Sequence, residues 1–296
     1  MNRLNKLNLV WIKVGKFNKE ASHLLAGEII IKSYSREDPL VPLRAPAGKL
    51  LIQNLGNRHY STSHDKDKLF NEWLAGLIDM KGQFLVSKKG YANFKIILPE
   101  KDKFILYIIK HKFGGSIKSI SGSNAFKYKL CHKKGLLKLV NSVNGLIRNP
   151  SRILQFNKVC VLYNIQLKSN TPLTYYSGWF SGVVDASGSI HFNQQSNQLI
   201  LSITQKNRYL LDPLIKLYSG RVQILNSQDA FQYCIYRKSE VISLIDNYFN
   251  VCALKSSKAD RLMWIKDFYI HMDYMKSDQP YIYNKWINFK NKWDKL

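Results

Sequence analysis

Two segments of this 296-residue chain are near copies of each other. The first is Trp73-Leu74-Ala75-Gly76-Leu77-Ile78-Asp79-Met80-Lys81-Gly82-Gln83-Phe84. The second is Trp179-Phe180-Ser181-Gly182-Val183-Val184-Asp185-Ala186-Ser187-Gly188-Ser189-Ile190, and Gly76 falls on Gly182 at an offset of 106 residues. Two other landmarks hold nearly the same shift. Phe113-Gly114-Gly115-Ser116-Ile117 matches Tyr218-Ser219-Gly220-Arg221-Val222 at 105 residues, and Asn144-Gly145-Leu146-Ile147-Arg148 matches Val251-Cys252-Ala253-Leu254-Lys255 at 107. Three landmarks in register mean that one unit of about a hundred residues is duplicated.

Each unit reads as helix, two strands, helix, two strands, helix. The fold class is therefore α+β, with two pseudo-symmetric αββαββα half-domains. In the first unit Lys68–Leu77 is apolar at helical spacing and stops near Gly82. Strands are predicted at Gln83–Ser87 and Tyr91–Leu98, joined by the Lys89-Gly90 turn. Lys101–Phe113 is an amphipathic helix closed by Gly114. Ser116–Ile120 and Ala125–His132 form a hairpin around Ser121-Gly122-Ser123-Asn124. Lys134–Asn144 and Pro150–Tyr163 are helical. In the second unit Leu199–Gln205 and Phe231–Arg237 repeat the strand pattern. Residues 1–64 lack sustained periodicity and contain Pro39, Pro42 and Pro46, which predicts a partly irregular lead-in. The halves are then expected at residues 65–168 and 169–296.

A formal net charge of +25 points to a polyanionic partner, either nucleic acid or an anionic membrane surface. Residues 66–170 alone carry 20 basic and 5 acidic side chains, so the footprint lies mainly there. In the strand around residues 126–132, Phe126, Tyr128 and Leu130 point one way and Lys127 and Lys129 the other. Such a sheet packs on one face and is cationic on the other. The outward positions of the second unit are more often Ser, Thr, Gln and Asn. Lysines and amides on a curved sheet suit phosphate contacts and base-edge hydrogen bonds. The candidates for contact are Lys88, Lys89, Lys95, Lys118, Lys127 and Lys129 in the first unit and Arg221 and Arg237 in the second. Arg148, Arg152, Lys255 and Lys258, at the start of each unit's last helix, join them.

Other readings narrow the class. No run of about 18 apolar residues exists, and a membrane surface would leave the sheet faces unexplained, so no membrane partner is expected. Cys131, Cys160, Cys234 and Cys252 form no CxxC pair, which argues against a zinc site and for free thiols in a reducing compartment. His111, His132 and His191 read as surface or strand-face residues.

The paired segments resemble the signature of the LAGLIDADG homing endonucleases and group I intron maturases, and the likeness covers roughly residues 65–290. It implies two motif helices packed side by side as a spine between half-domains, beneath a saddle of antiparallel sheets. Ala75, Gly76, Ser181 and Gly182 would form that half-domain interface, because small residues let backbones approach closely. In the family the motif's eighth letter is an acidic residue, and the two carboxylates hold divalent metals that cleave DNA. Here that letter is Lys81 in one copy and Ser187 in the other. A lysine ammonium repels Mg²⁺ and has no lone pair, and serine is a weak neutral ligand. Asp79 and Asp185 stand at the sixth letter, which in the family makes local bonds at the helix end. A two-residue shift turns a side chain to another helix face, so they are not expected to substitute. No catalytic residue and no protein-bound metal are expected.

The resemblance thus implies an RNA maturase that binds and stabilises a group I intron and assists its splicing, with DNA cleavage lost. The protein itself requires no cofactor; the intron RNA requires Mg²⁺. Group I intron RNA is the expected partner of a monomer, with double-stranded DNA at the intron insertion site as a second. The alternative is an intron-encoded homing endonuclease making a Mg²⁺-dependent double-strand break. A non-catalytic DNA binder is a third reading. The 35 Lys against 10 Arg, with many Asn, Ile, Tyr and Phe, match AT-rich codons such as those of a fungal mitochondrial genome. The expected location is the mitochondrial matrix. Arg3, Lys6, Lys13, Lys16 and Lys19 against the single acid Glu20 read equally as a transit peptide or as the upstream part of an intron reading frame.

Overall fold

The computed structural model describes residues 63–296. The irregular lead-in expected over residues 1–64 lies outside them, save the two residues that open the first helix. The first half runs α1 (Ser63–Lys81), β1 (Gly82–Val86), β2 (Ala92–Pro99), α2 (Lys103–Phe113), β3 (Ser116–Ser119), β4 (Ala125–Leu130), α3 (Lys133–Val143) and α4 (Pro150–Leu162). The second runs α5 (Trp179–Ser187), β5 (Gly188–Asn193), β6 (Gln198–Gln205), α6 (Asp212–Tyr218), β7 (Arg221–Leu225), β8 (Ala230–Ile235), α7 (Lys238–Ser243), α8 (Lys258–Met272) and α9 (Pro280–Trp293). A π-helical turn, Leu244–Phe249, continues α7.

Both sheets are antiparallel and share one strand order, β1-β2-β4-β3 and β5-β6-β8-β7. Alternation decides their faces. In β2, Ala92, Phe94, Ile96 and Leu98 are buried under the helices while Asn93, Lys95 and Ile97 take the open side. The landmark turns also correspond: Gly114 ends α2 at φ 79° and Ser219 ends α6 at φ 63°. A serine with positive φ is strained where glycine is not. Helix α2 begins two residues later than predicted. Glu100–Asp102 is a 3₁₀ turn, and buried Asp102 does not cap α2 but accepts from Ser257 N of the other half at 2.7 Å.

Helices α1 and α5 pack along one another at the centre. A Cβ on Gly76 would collide with the Trp179 carbonyl oxygen and lie 3.0 Å from Val183 N. One on Gly182 would collide with the Trp73 carbonyl oxygen and lie 2.9 Å from Leu77 N. Ala75 and Ser181 are buried beside them. One apolar core extends from this spine into both halves. Helix α9 has no counterpart in the first half as described. Its Trp286, Phe289 and Trp293 are buried at helical spacing, and the Trp293 ring lies 4.6 Å from that of Phe268 in α8.

Candidate nucleic-acid interface

The first sheet opens a cationic face. Strand register sets Gln83, Lys95, Lys129 and Ser116 in one row across it, and Ile97, Lys127 and Lys118 in the next. Lys95 therefore stands directly opposite Lys129, and Lys127 opposite Lys118. Like charges directly opposite destabilise a sheet. No strand of this sheet contains an acid. The arrangement makes sense when a polyanion supplies the missing negative charge. Lys88 and Lys89 extend the same character into the exposed β1–β2 turn.

The second sheet offers amides and hydroxyls instead. One row is Ser189, Ser202, Cys234 and Arg221; the next is Thr204, Gln232 and Gln223. Gln223 Nε2 donates to Gln232 Oε1 at 2.7 Å, and Gln232 Nε2 to Thr204 Oγ1 at 3.4 Å. The Arg221 guanidinium lies 4.7 Å from the centre of the Tyr236 ring, and Arg237 pairs with Glu240 at 2.9 Å. One sheet thus carries charge for phosphates and the other directional polar groups, which are the two components of nucleic-acid recognition.

Between the sheets lie the motif ends. Lys81 is the exposed last residue of α1, and half-buried Ser187 is the last residue of α5. Two residues earlier, Asp79 and Asp185 are fully buried and bonded alike. Asp79 Oδ1 accepts from Asn149 N at 2.9 Å, and its Oδ2 from Arg148 N at 2.9 Å and Trp179 Nε1 at 2.7 Å. Asp185 Oδ1 accepts from Ser256 N at 2.9 Å, and its Oδ2 from Lys255 N at 2.9 Å and Trp73 Nε1 at 2.8 Å. Each carboxylate takes two backbone N–H groups from the segment before a last helix of its own half, and one indole N–H from the other half. The family resemblance implies local bonds here; these are long-range. Burial pushes the Asp79 carboxyl up to about 6, against the opposing pull of its donors Asn149, Trp179 and Arg148.

The four basic residues near these segments brace the same frame. Arg148 lies 5.8 Å from the Trp179 ring centre, and its Nη2 donates to Thr171 O at 2.7 Å. Lys255 lies 5.1 Å from the Trp73 ring centre. Lys258 Nζ donates to Asp185 O at 2.6 Å, and Arg152 Nη1 to Gln155 Oε1 at 3.3 Å. Burial lowers the pKa of Arg148, Arg152, Lys255 and Lys258. Sequence reasoning assigned no role to Trp73 and Trp179, although their recurrence at one motif position was the available signal.

The divalent metals of the family do not fit these residues. Lys81 and Ser187 stand at the positions that the resemblance assigns to metal ligands, and the oxygens of Asp79 and Asp185 are already engaged by N–H donors. Among the described residues no cluster of three His, Cys, Asp or Glu side chains is arranged for a metal ion, and no helix is long and apolar enough to cross a membrane.

Comparison with known proteins gives a consistent set. The intron-encoded RNA maturase bI4 of Saccharomyces cerevisiae is 36% identical over 254 residues, covering 83% of this chain and 40% of that protein. The probable intron-encoded endonuclease aI2 of Debaryomyces hansenii is 32% identical over 250 residues, covering 76% of this chain and 38% of that protein. The chain spans about two-fifths of the length of these two relatives. The intron-encoded DNA endonuclease ai2a of Dictyostelium discoideum is 34% identical over 245 residues, covering 80% of this chain and 79% of that protein. Among solved structures, the meganuclease I-SmaMI bound to uncleaveable DNA superposes with a TM-score of 0.59 at 20% identity, over 74% of this chain and 97% of that one. The LAGLIDADG meganuclease I-AabMI bound to uncleaved DNA also gives 0.59 at 20% identity, over 75% and 98%. No family model matches the chain.

Proposed function

We propose a splicing role for this chain, which belongs to the LAGLIDADG family of intron-encoded endonucleases and maturases. It binds a folded group I intron, stabilises its core and leaves the chemistry to the RNA and the Mg²⁺ that the RNA holds. The observation that carries this reading is the state of the two motif ends. Lys81 and Ser187 stand where metal ligands belong, and both neighbouring aspartates are committed to internal hydrogen bonds. A maturase needs a rigid basic surface shaped to RNA, and that requirement survives the loss of metal carboxylates. The opposed lysines of the first sheet supply such a surface. The pairing of two halves within one chain supports action as a monomer, and the Lys-rich composition supports the mitochondrial matrix as its location.

A DNA homing endonuclease is the second reading, favoured by relatives that bear that name and by neighbouring structures bound to DNA. In our reading affinity for double-stranded DNA at the insertion site persists without cleavage.

The test uses transcripts of the intron that carries this reading frame, with flanking exons. Protein in excess should accelerate splicing at low magnesium and lose the effect at high salt. An unchanged rate across the whole magnesium titration overturns the reading. Mg²⁺-dependent linearisation of a plasmid bearing the joined exons would establish the endonuclease instead.

A further inference from the structure

Helix α2 packs Ile105, Leu106, Ile109 and Phe113 under the first sheet, on the side away from the open lysine face. Its outer side is not an ordinary solvated surface. Phe104 is 66% exposed and Tyr107 50% exposed, and Lys103, Lys110 and His111 are exposed with them. At roughly 100° per residue these five side chains share one arc of about 120°. The helix contains no acid. Lys103 lies 3.7 Å from Glu100, but both side chains are about half exposed, so the contact is weak and leaves the ammonium available.

The second half repeats only part of this pattern. At the 105-residue offset Phe104 falls on Tyr209, 65% exposed in the turn before α6, whereas Tyr107 and Lys110 fall on Asp212 and Ile215, and Asp212 is paired with Arg208 at 3.1 Å. Exposed rings flanked by cations match what unpaired nucleotides need. Every base has a π-face for stacking, and every linkage brings a phosphate. An A-form duplex keeps its bases stacked internally and would leave both rings unused. A second copy of this chain, itself at +25, is disfavoured by charge.

We propose that the outer face of α2 is a second RNA contact, where unpaired bases stack on Phe104 and Tyr107 while Lys103 and Lys110 hold adjacent phosphates. It deepens, and rests on, the RNA-binding reading above. The protein then grips the intron from two opposite sides of its first half.

Fluorescence anisotropy with a short oligouridylate and a short RNA duplex tests this on the full chain. Because the rings are exposed, Phe104→Ala/Tyr107→Ala should fold normally, lose about tenfold or more in oligouridylate affinity, and bind the duplex within about twofold of wild type. Phe104→Trp/Tyr107→Trp should keep oligouridylate binding. Lys110→Ala should reduce the salt slope by about 0.7. Wild-type oligouridylate affinity in the double alanine variant overturns the proposal, as does a wild-type protein that does not bind the oligomer or that self-associates through this face. The splicing assay separates the two ideas. Accelerated splicing with unchanged oligouridylate binding in the double alanine variant overturns the α2 contact alone. Oligouridylate binding that depends on the rings, with no splicing effect at any magnesium concentration, overturns the maturase reading alone.

Discussion

The indole Nε1–H of Trp73 donates to Asp185 Oδ2 at 2.8 Å, from one half of the molecule into the other. Trp179 returns the same bond to Asp79 at 2.7 Å. Each aspartate also receives the backbone ahead of its own half's closing helices. The motif therefore joins helix spine, closing segment and opposite half at two buried carboxylates. These bonds involve neither Lys81 nor Ser187, the eighth letters of the two motifs, so this use does not depend on metal binding.

Removing either member of the Trp73–Asp185 bond should cost different amounts. Trp73→Phe leaves Asp185 two backbone donors and should cost about 1.5–3 kcal/mol, the range for a hydrogen bond to a charged group. Asp185→Ala strands two backbone N–H groups and an indole together, so it should cost more, about 3 kcal/mol or above. Urea midpoints measure both. Equal losses would mean that the carboxylate is not the hub.

Asp79 gives a pH dependence of definite sign. Its carboxyl titrates at 3.8 when unfolded and at about 6 when folded, chiefly through burial. Between these values the folded protein keeps a proton that the unfolded chain has released. The stability from this group is full below about pH 3.8 and is lost as pH rises through about 6, a change of ~3 kcal/mol. Asp79→Asn should lack this fall, read as the difference between the two proteins' urea midpoints from pH 4 to 7.

Gly76→Ala is expected to be among the most damaging of small substitutions. Its methyl meets the Trp179 backbone, which cannot rotate away, so the spine helices must separate. A loss of about 1–3 kcal/mol or more is expected from overpacking, with Gly182→Ala equivalent by symmetry. Thermal melts of the two variants against the wild-type protein give the comparison.

Much of this architecture was legible in the chain. The duplication and strand alternation placed nearly every element, because periodicity reports which face is buried. The spine glycines were legible because only a missing side chain permits such approach. Three features escaped for physical reasons. The Trp–Asp exchange joins residues about a hundred positions apart, and spacing along a chain says nothing of such pairings. Arg148, Arg152, Lys255 and Lys258 read as phosphate contacts, and their partial burial, with internal hydrogen bonds from Arg148, Arg152 and Lys258, was not visible from their positions. Helix α9 left a signal in Trp286, Phe289 and Trp293, but no repeat in the first unit drew attention to it.

The eighth letters make a direct gain-of-function prediction. Lys81→Asp with Ser187→Asp places a carboxylate at each motif end while leaving Asp79 and Asp185 bonded. The double variant should gain a stabilising response to Mg²⁺ or Ca²⁺ in thermal melts that wild type lacks, and some cleavage of the joined-exon plasmid if DNA recognition persists. A melt indifferent to either ion would show that the floor between the sheets has lost more than two ligands.

The opposed lysines imply an exchange of stability for binding. Lys95 faces Lys129 directly across β2 and β4, so Lys95→Ala removes a like-charge pair as well as a phosphate contact. Stability should rise by about 0.2–1 kcal/mol in urea. Affinity for nucleic acid should fall, with the slope of log K against log salt shallower by about 0.9 on duplex DNA or about 0.7 on single strands. Lys127→Ala, opposite Lys118, should behave in the same way. Lys216→Ala, on the exposed side of α6 in the other half, should alter neither stability nor slope by comparable amounts. A stabilised Lys95→Ala protein with an unchanged salt slope would show that the open face of the first sheet does not meet phosphate.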